Sequence, residues 1–292
     1  MSALASDRPA TAPRRKGRIR RWLLSDLRAT VALLYLAILV AVSLLSGIVA
    51  PHSPLEQSMD ILAPPGADHW LGTDDLGRDV FSRLITGTPM SLYASFLAVG
   101  IGAAIGLPIG IAAGYLGGWV DVVISRVIDT LLSFPGIVLA IAVTGALGIG
   151  LTNSMISVGI VFSPSIARLI RVQTIIVKRE LFIDAARTFG MRPARLILRH
   201  ILPNAIQPVL VQVTLLLATA LLAEASLSFL GLGVQPPQPS WGQMLARAYG
   251  YMEIAPEQMY APGFAILLTA LAFNALGESL RSLLDPTRRR GD

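Results

Sequence analysis

The sequence predicts an all-α membrane protein with six transmembrane helices, and three observations support this fold class. Of the 292 residues, 53% are hydrophobic and only 14% are charged, whereas about a quarter of an ordinary globular domain is charged. Five long stretches lack charged residues: 29–50, 84–120, 130–167, 200–223 and 258–277. Runs of about 20 apolar residues can cross a bilayer as helices. Basic residues also concentrate in alternate connecting segments, so the sequence excludes a soluble core.

Breaks rich in Pro and Gly separate the predicted helices. The six helices are 29–50, 89–114, 121–146, 153–171, 207–231 and 262–284. Gly117 and Gly118 separate the second helix from the third, and prolines follow the first and fifth helices. A basic stretch precedes the first apolar run, as in a signal peptide. That run is longer than a typical signal-peptide core, so we expect an uncleaved anchor.

Loop charge predicts the orientation. Lys and Arg predominate in 1–28, in 171–199 and at the C-terminal end, whereas Asp and Glu predominate in 51–88 and 232–261. Because cytoplasmic loops carry the excess of Lys and Arg, both termini are expected in the cytoplasm. The predicted parts are a basic cytoplasmic tail that is expected to be disordered (1–28), the first helix with an external loop (29–88), a core membrane domain with a cytoplasmic loop at 172–206 (89–285), and a cytoplasmic tail (286–292).

One face of the predicted second helix consists of small residues. Glycines recur every fourth position: Gly102, Gly106, Gly110 and Gly114. Small residues at this spacing let a neighbouring helix backbone approach closely. Plain helix packing is the favoured interpretation, and a face beside a path through the membrane is the alternative.

The cytoplasmic loop 172–206 predicts two short helices joined by a glycine. Apolar residues at helical spacing form one stripe: Leu181, Phe182, Ala185, Ala186 and Phe189. Gly190 is expected to end the first helix in a left-handed conformation. Pro193 is expected to open the second helix, and Pro203 to limit it. A helix lying on anionic lipid is the alternative interpretation.

This loop resembles the EAA motif of bacterial ABC-importer permeases, which reads Glu-Ala-Ala, three residues, Gly, nine residues and Ile-x-Leu-Pro. The chain matches the motif with its full spacing at Ala185, Ala186, Gly190, Leu202 and Pro203. Asp184 replaces the Glu, and His200 replaces the Ile, as in the Arg-His-Ile-Leu-Pro-Asn form of peptide permeases. In the family this loop inserts into a cleft of the ATPase subunit. The resemblance therefore implies an ATPase-coupling role for these residues and for Phe189.

Two further stretches resemble the C-type permease subunits of dipeptide, oligopeptide and nickel importers. They are 72–83, and 225–233 followed by 239–242. With Asp285 and Pro286, the resemblance covers residues 25–288. The first stretch by itself predicts an amphipathic helix at the outer surface, which Asp74 or Asp75 would cap.

Glu224 is an acidic residue inside the predicted fifth helix. An unpaired charge there is costly, and such residues usually face the bundle interior or water. Two interpretations stay open, because Glu224 could line the translocation path or serve as a buried structural acceptor. Asn274 on the sixth helix is the expected polar partner and shares the candidate path.

The sequence lacks the usual patterns of catalytic and metal sites. Neither of the two lysines, Lys16 and Lys178, lies in a P-loop pattern. The chain has no cysteine, which excludes disulfides and thiolate metal sites. A GxSxG elbow is absent, and the three histidines, His52, His69 and His200, are far apart in the sequence. We therefore expect a non-catalytic subunit with no metal and no cofactor of its own.

The resemblance implies a permease subunit in the bacterial inner membrane that translocates di- or oligopeptides by alternating access. The implied partners are a second, homologous permease subunit of the B type, two ATP-binding subunits that hold ATP and Mg²⁺, an extracytoplasmic substrate-binding protein and membrane lipid. No nucleic acid partner is expected, because the net charge of +6 follows from the cytoplasmic loops. Dipeptides, longer peptides and nickel chelates stay open as substrates. The alternatives are a secondary transporter, which often shows internal repeats not seen here, and a membrane-embedded hydrolase.

Overall fold

The computed structural model describes residues 26–284, which form helices and connecting loops. The helices are α1 (Leu27–Leu44), α2 (Ser46–Val49), α3 (Val80–Leu116), α4 (Gly118–Ser133), α5 (Gly136–Leu147), α6 (Leu151–Lys178), α7 (Leu181–Thr188), α8 (Pro193–Leu196), α9 (Leu202–Phe229), α10 (Trp241–Tyr249) and α11 (Tyr260–Leu284). A π-helical turn at Ile197–Ile201 joins α8 to α9, and a 3₁₀ turn at Pro256–Met259 precedes α11. Of the two predicted tails, residues 1–25 and 286–292 lie outside the described residues.

Within residues 26–284, five helical stretches are long and apolar enough to cross a membrane, and a bent pair is a sixth candidate. The five are α1, α3, α6, α8 through α9, and α11 with its preceding turn. The predicted all-α class is confirmed, but the predicted continuous helix over 121–146 is wrong. Here α4 and α5 meet at an angle of 97°. Pro135 lacks a backbone N–H and disfavours a helical conformation for Phe134, which is extended at ψ 141°.

Helix α3 begins nine residues before its predicted start at position 89. Asp79 is its N-cap, and the Asp79 carboxylate accepts a hydrogen bond of 2.7 Å from Ser82 N–H. The prediction of a separate surface helix capped by Asp74 or Asp75 is therefore wrong. Asp74 instead closes the preceding turn, where its carboxylate accepts from the N–H groups of Leu76 and Arg78.

The glycine face of α3 packs along α6, in agreement with the prediction that this face contacts a neighbouring helix. A Cβ atom added at Gly106 would lie 2.6 Å from the carbonyl oxygen of Ser163, and one at Gly114 would lie 2.7 Å from that of Arg171. These distances are shorter than van der Waals contact, so the two backbones approach more closely than any side chain would allow. The interpretation of this face as a helix-packing surface is confirmed.

Polar contacts join the helix ends. Asp26 caps α1 and also accepts a hydrogen bond from the Ser279 hydroxyl on α11. That hydrogen bond lowers the pKa of the Asp26 carboxyl. At the other end of the bundle, Gly150 N–H donates to the carbonyl oxygen of Leu232 at 3.2 Å. The beginning of α1 therefore lies beside the end of α11, and the beginning of α6 lies beside the end of α9.

The segments 50–79 and 230–259 pack together, and we call them the loop cap. Arg247 pairs with Asp75 at 2.6 Å, and Gln258 Nε2 donates to the carbonyl oxygen of Thr73 at 2.7 Å. Arg83 on α3 is buried beneath both segments. These contacts connect residues more than a hundred positions apart and fix the loop cap on the start of α3.

Candidate coupling site

The predicted coupling residues lie on and after α7, which forms a projection at one end of α6. Only Arg179 and Glu180 separate α6 from α7. At the far end, Gly190 has φ +72°, its N–H donates to Arg187 O at 2.8 Å, and Met191 N–H donates to Ala186 O at 3.2 Å. These two bonds form a Schellman motif, which ends the helix in the predicted left-handed glycine.

The inner side of the projection is fixed to the bundle. Ile183, Leu196 and Ile201 are fully or almost fully buried, at 0%, 1% and 0% exposure, in the main hydrophobic core. Lys178, the last residue of α6, donates to the carbonyl oxygen of Tyr115 at 2.6 Å and lies over the Tyr115 ring. The projection is therefore held on the ends of α3, α6 and α9.

The outer side of the projection is apolar and uncovered. Leu181 is 85% exposed, Phe182 44% and Phe189 88%. Ala185 lies on the same exposed face, whereas Ala186 turns partly inward. Asp184 is exposed beside this face, and its carboxylate lies 3.5 Å from the Arg187 guanidinium. Large apolar side chains at such exposure indicate a surface for another protein or for a membrane.

The second half of the predicted loop does not form a separate short helix. Pro203 does not limit a separate helix, because α8 continues through the π turn into α9. Leu202 N–H bonds to Ile197 O, five residues back. The Pro203 ring cannot donate a hydrogen bond and crowds the preceding turn, so a wider turn accommodates it. His200 lies in this turn, and its carbonyl accepts from Asn204 Nδ2 at 2.7 Å.

Most of the predicted loop 172–206 is helical. Helix α6 extends to Lys178, and α8 begins at Pro193. The EAA-type residues are therefore divided between the projection and the start of α9, with Leu202 and Pro203 on α9.

Glu224 is a fully buried acceptor on α9, at 0% exposure. Its Oε1 accepts from the hydroxyl of Ser228 at 2.8 Å and from that of Ser240 at 2.9 Å. The expected partnership with Asn274 is not formed: the described hydrogen bonds of Glu224 go elsewhere, and Asn274 is exposed on α11. This geometry favours the structural-acceptor interpretation over a path-lining one.

Sequence reasoning missed Ser240. Its hydroxyl caps α10 by accepting from Gln243 N–H at 3.1 Å, while it donates to Glu224. Trp241 next to it is 1% exposed, and its ring N–H donates to Leu84 O. The spacing Ser-x-x-Gln from Ser240 to Gln243 is a capping-box signal. This signal could have located α10, although not the contact between Ser240 and Glu224.

Two of the three histidines, which are far apart in the sequence, lie together in the structure. His52 and His69 come together in the loop cap, with ring centroids 4.9 Å apart, and the buried Asp79 carboxylate lies 3.8 Å from His52 Nδ1 and 3.0 Å from His69 Nδ1. His200 is at the projection, in a different part of the molecule.

The sequence and the fold were compared with known proteins. Residues 106–290 match the family described as the binding-protein-dependent transport system inner membrane component. The chain belongs to this family. Its members are permease subunits of ABC importers in the inner membrane, so the predicted family and localisation are confirmed. Permeases of this family are generally non-catalytic, and the ATPase is a separate subunit.

Curated relatives match this permease over most of its length. It is 46% identical over 261 residues to the glutathione transport system permease protein GsiD of Escherichia coli O157:H7. The match covers 88% of this chain and 86% of the relative. The GsiD proteins of Shigella boydii serotype 4 and Shigella flexneri serotype 5b match over the same lengths at 46% identity.

Solved structures share the fold at low sequence identity. Two crystal forms of the inward-facing MetNI methionine ABC transporter match with TM-scores of 0.56 and 0.58 at 22% and 21% identity. The matches cover 70% of this permease and 97% and 98% of the compared chains. This likeness shows the fold of a type I ABC-importer permease.

Proposed function

We propose that this permease subunit imports di- or oligopeptides by alternating access, driven by separate ATPase subunits. The observation that carries the proposal is the α7 projection, which combines the EAA-type residues with an uncovered apolar face. Phe189, at 88% exposure, is the side chain best placed to enter a cleft of the ATPase. The ATPase subunits would hold ATP and Mg²⁺.

The packing of the projection supports its role in coupling. Because Ile183 shares one buried cluster with Val177 on α6 and Ala205 on α9, a displacement of α7 moves the ends of α6 and α9 with it. Close-packed interiors transmit such displacements, since they have little free volume to absorb them. Closure of two ATPases on ATP would thereby rearrange the membrane helices.

The partners in this proposal are a homologous B-type permease, two ATP-binding subunits and an extracytoplasmic binding protein that delivers the substrate. The exposed apolar surfaces of α1 and α5 support a membrane partner or lipid contact. Ile38 on α1 is 53% exposed and Val138 on α5 is 55% exposed. In a bilayer such side chains face lipid or another apolar helix.

We also propose six crossings with both termini in the cytoplasm. Lys178 contacts Tyr115, so α6 ends on the side where α3 ends. Gly150 contacts Leu232, so α6 begins on the opposite side, near the loop cap. The bent pair α4–α5 must then cross between these two sides as the third span. The contact of Asp26 with Ser279 supports an even number of crossings.

The relatives support a peptide substrate, since the GsiD proteins are named as glutathione transport permeases and glutathione is a small peptide. The decisive experiment reconstitutes the complete transporter with its binding protein and follows ATP-driven uptake of labelled glutathione, a dipeptide, a longer peptide and a nickel chelate. We expect saturable peptide uptake that requires ATP hydrolysis. Uptake driven by an ion gradient without the ATPase subunits would indicate a secondary transporter, and uptake of the nickel chelate alone would exclude the peptide assignment.

A further inference from the structure

The loop cap brings together three side chains with atoms that bind metals. His69 Nδ1 lies 3.0 Å from Asp79 Oδ1, and His52 Nδ1 lies 3.8 Å from Asp79 Oδ2. One ligand atom from each of the three residues lies within 4.8 Å of the others. The Asp79 side chain is 2% exposed, that of His69 20% and that of His52 41%, so the group is open on the side of His52.

These distances fit ligands around a single ion. Zinc–nitrogen and zinc–oxygen bonds are about 2.0–2.2 Å long, so two ligand atoms of a tetrahedral site lie about 3.3 Å apart. The 3.0 Å separation of His69, which is also a hydrogen-bond distance, runs to Asp79 Oδ1, and the 3.8 Å separation of His52 runs to Asp79 Oδ2. Both lie near this value, and one ligand atom from each residue is within reach of a common ion. The His52 separation is too long for a hydrogen bond, and a bridging ion would account for a ring turned toward the carboxylate at that distance.

The surroundings hold the three ligands in place. Asp79 Oδ2 accepts from Ser82 N–H at 2.7 Å, which orients the carboxylate as outer-shell hydrogen bonds orient metal ligands. His52 N–H donates to the Ser82 hydroxyl at 3.0 Å, and Thr73 pairs with Asp79 in an antiparallel bridge. The three residues also line a cleft of about 210 Å³ that Glu56 shares. Glu56 or water could complete four ligands.

We propose that His52, His69 and Asp79 form a site for a divalent transition-metal ion, with zinc as the matching ion. Two imidazoles and one carboxylate suit zinc better than magnesium or calcium, which take mainly oxygen ligands. The ion would connect the chain just after α2 to the N-cap of α3. It would therefore fasten the loop cap to the start of the membrane helix α3, at a point remote from the α7 projection.

The test measures zinc binding by the full-length chain in the assembled transporter, purified with an affinity tag that contains no histidine. After treatment with a chelator and dialysis, Zn²⁺ is titrated and the bound metal is counted by mass spectrometry. We expect one Zn²⁺ per chain. His52→Ala and His69→Ala should each weaken binding at least about tenfold, the scale on which even outer-shell partners act.

The chain offers two matched variants. His200→Ala removes the third and last histidine and should bind Zn²⁺ as the wild type does. Asp79→Asn keeps a residue that caps helices well but removes the anionic ligand, so it should weaken Zn²⁺ binding while the melting temperature of the metal-free protein changes little.

X-ray absorption of the wild-type zinc complex tests the ligands without any variant. We expect imidazole scattering with zinc–nitrogen distances of about 2.0–2.1 Å. The proposal is overturned if the wild type retains no more Zn²⁺ than the His52→Ala/His69→Ala double variant. It is overturned equally if His200→Ala alone abolishes binding, or if the spectrum lacks imidazole.

Discussion

Gly190 follows α7 in the projection and adopts a left-handed conformation, with φ +72°. No atom lies within 4 Å of the position that a Cβ would occupy. A side chain at this position would therefore strain the backbone conformation but would not clash with neighbouring atoms. A β-branched residue is strongly disfavoured at this φ, whereas asparagine adopts it comparatively well. This separation of causes makes the position suited to a matched pair of variants.

We predict that Gly190→Val abolishes ATP-driven transport, while insertion and docking of the binding protein stay intact. The strained turn would displace Phe189 and loosen the ATPases or uncouple hydrolysis from translocation. Gly190→Asn should retain most of the transport, because asparagine also serves as a C′ residue. Uptake and co-purification of the ATPases are measured in parallel. Wild-type uptake by Gly190→Val with the ATPases bound would contradict the coupling role of the projection.

Glu224 allows a second test at a single side chain. Glu224→Leu leaves the buried hydroxyls of Ser228 and Ser240 without their acceptor, which costs on the order of 1–3 kcal/mol. We expect a lower melting temperature and reduced assembly in detergent. Glu224→Gln should lose less, since its carbonyl oxygen still accepts a hydrogen bond. Equal melting temperatures for wild type and Glu224→Leu would mean that the two hydroxyls find other partners.

At the scale of elements, the contact between α3 and α6 depends on the absence of side chains on one face. Gly106→Ala would bring a Cβ to 2.6 Å from the Ser163 carbonyl oxygen and 3.0 Å from the Ile166 Cβ. Both are held by α6, so the helices must separate. Overpacking of this kind costs about 1–3 kcal/mol.

Gly100→Ala is the matched control on the same helix, because nothing lies within 4 Å of its Cβ position. Alanine is also the better helix former, so Gly100→Ala should leave thermal stability unchanged or slightly raised. Gly106→Ala should lower the melting temperature in the same detergent. Equal melting temperatures for the two variants would show that α6 shifts to accommodate the added methyl group without loss of stability.

Elements that depend on local signals could be predicted from the sequence, and elements that depend on distant contacts could not. The left-handed Gly190 follows from neighbours within one turn, and the glycine spacing of α3 is periodic. Pro135 is also a local signal for the break after Ser133, although the apolar run around it favours a continuous helix. By contrast, the π turn before Pro203 is one of several ways to accommodate a proline, and the sequence does not select among them.

For the whole molecule, composition was sufficient for the fold class, since membrane helices are long and apolar at every position that faces lipid. The candidate sites depend on contacts across the chain. Glu224 meets Ser240 across a turn of the chain, and His52 meets His69 only because the loop cap folds back on α3. Single-sequence periodicity contains no information on such pairings. The partner of Glu224 was therefore predicted wrongly, and the histidine pair was not predicted.

The topology leads to a prediction for the whole chain. A reporter fused after Asp292 should be active only in a format that requires the cytoplasm, because the six proposed crossings would return the C-terminus to the side of the basic N-terminal segment. A second reporter placed after Gly150, between α5 and α6, should be active only on the outer side. Cytoplasmic activity at Gly150 would mean that α4–α5 enters and leaves on the same side.

The uncovered face of α7 also has a consequence for biogenesis. In the proposed topology, a copy of the chain made without ATPase subunits would present Leu181 and Phe189, at 85% and 88% exposure, directly to the cytosol. Chaperones and proteases select such surfaces, so subunit abundance should depend on stoichiometric co-synthesis. In a pulse-chase experiment we expect the orphan chain to have a shorter half-life than the assembled one. Phe189→Ser should lengthen the half-life of the orphan chain alone.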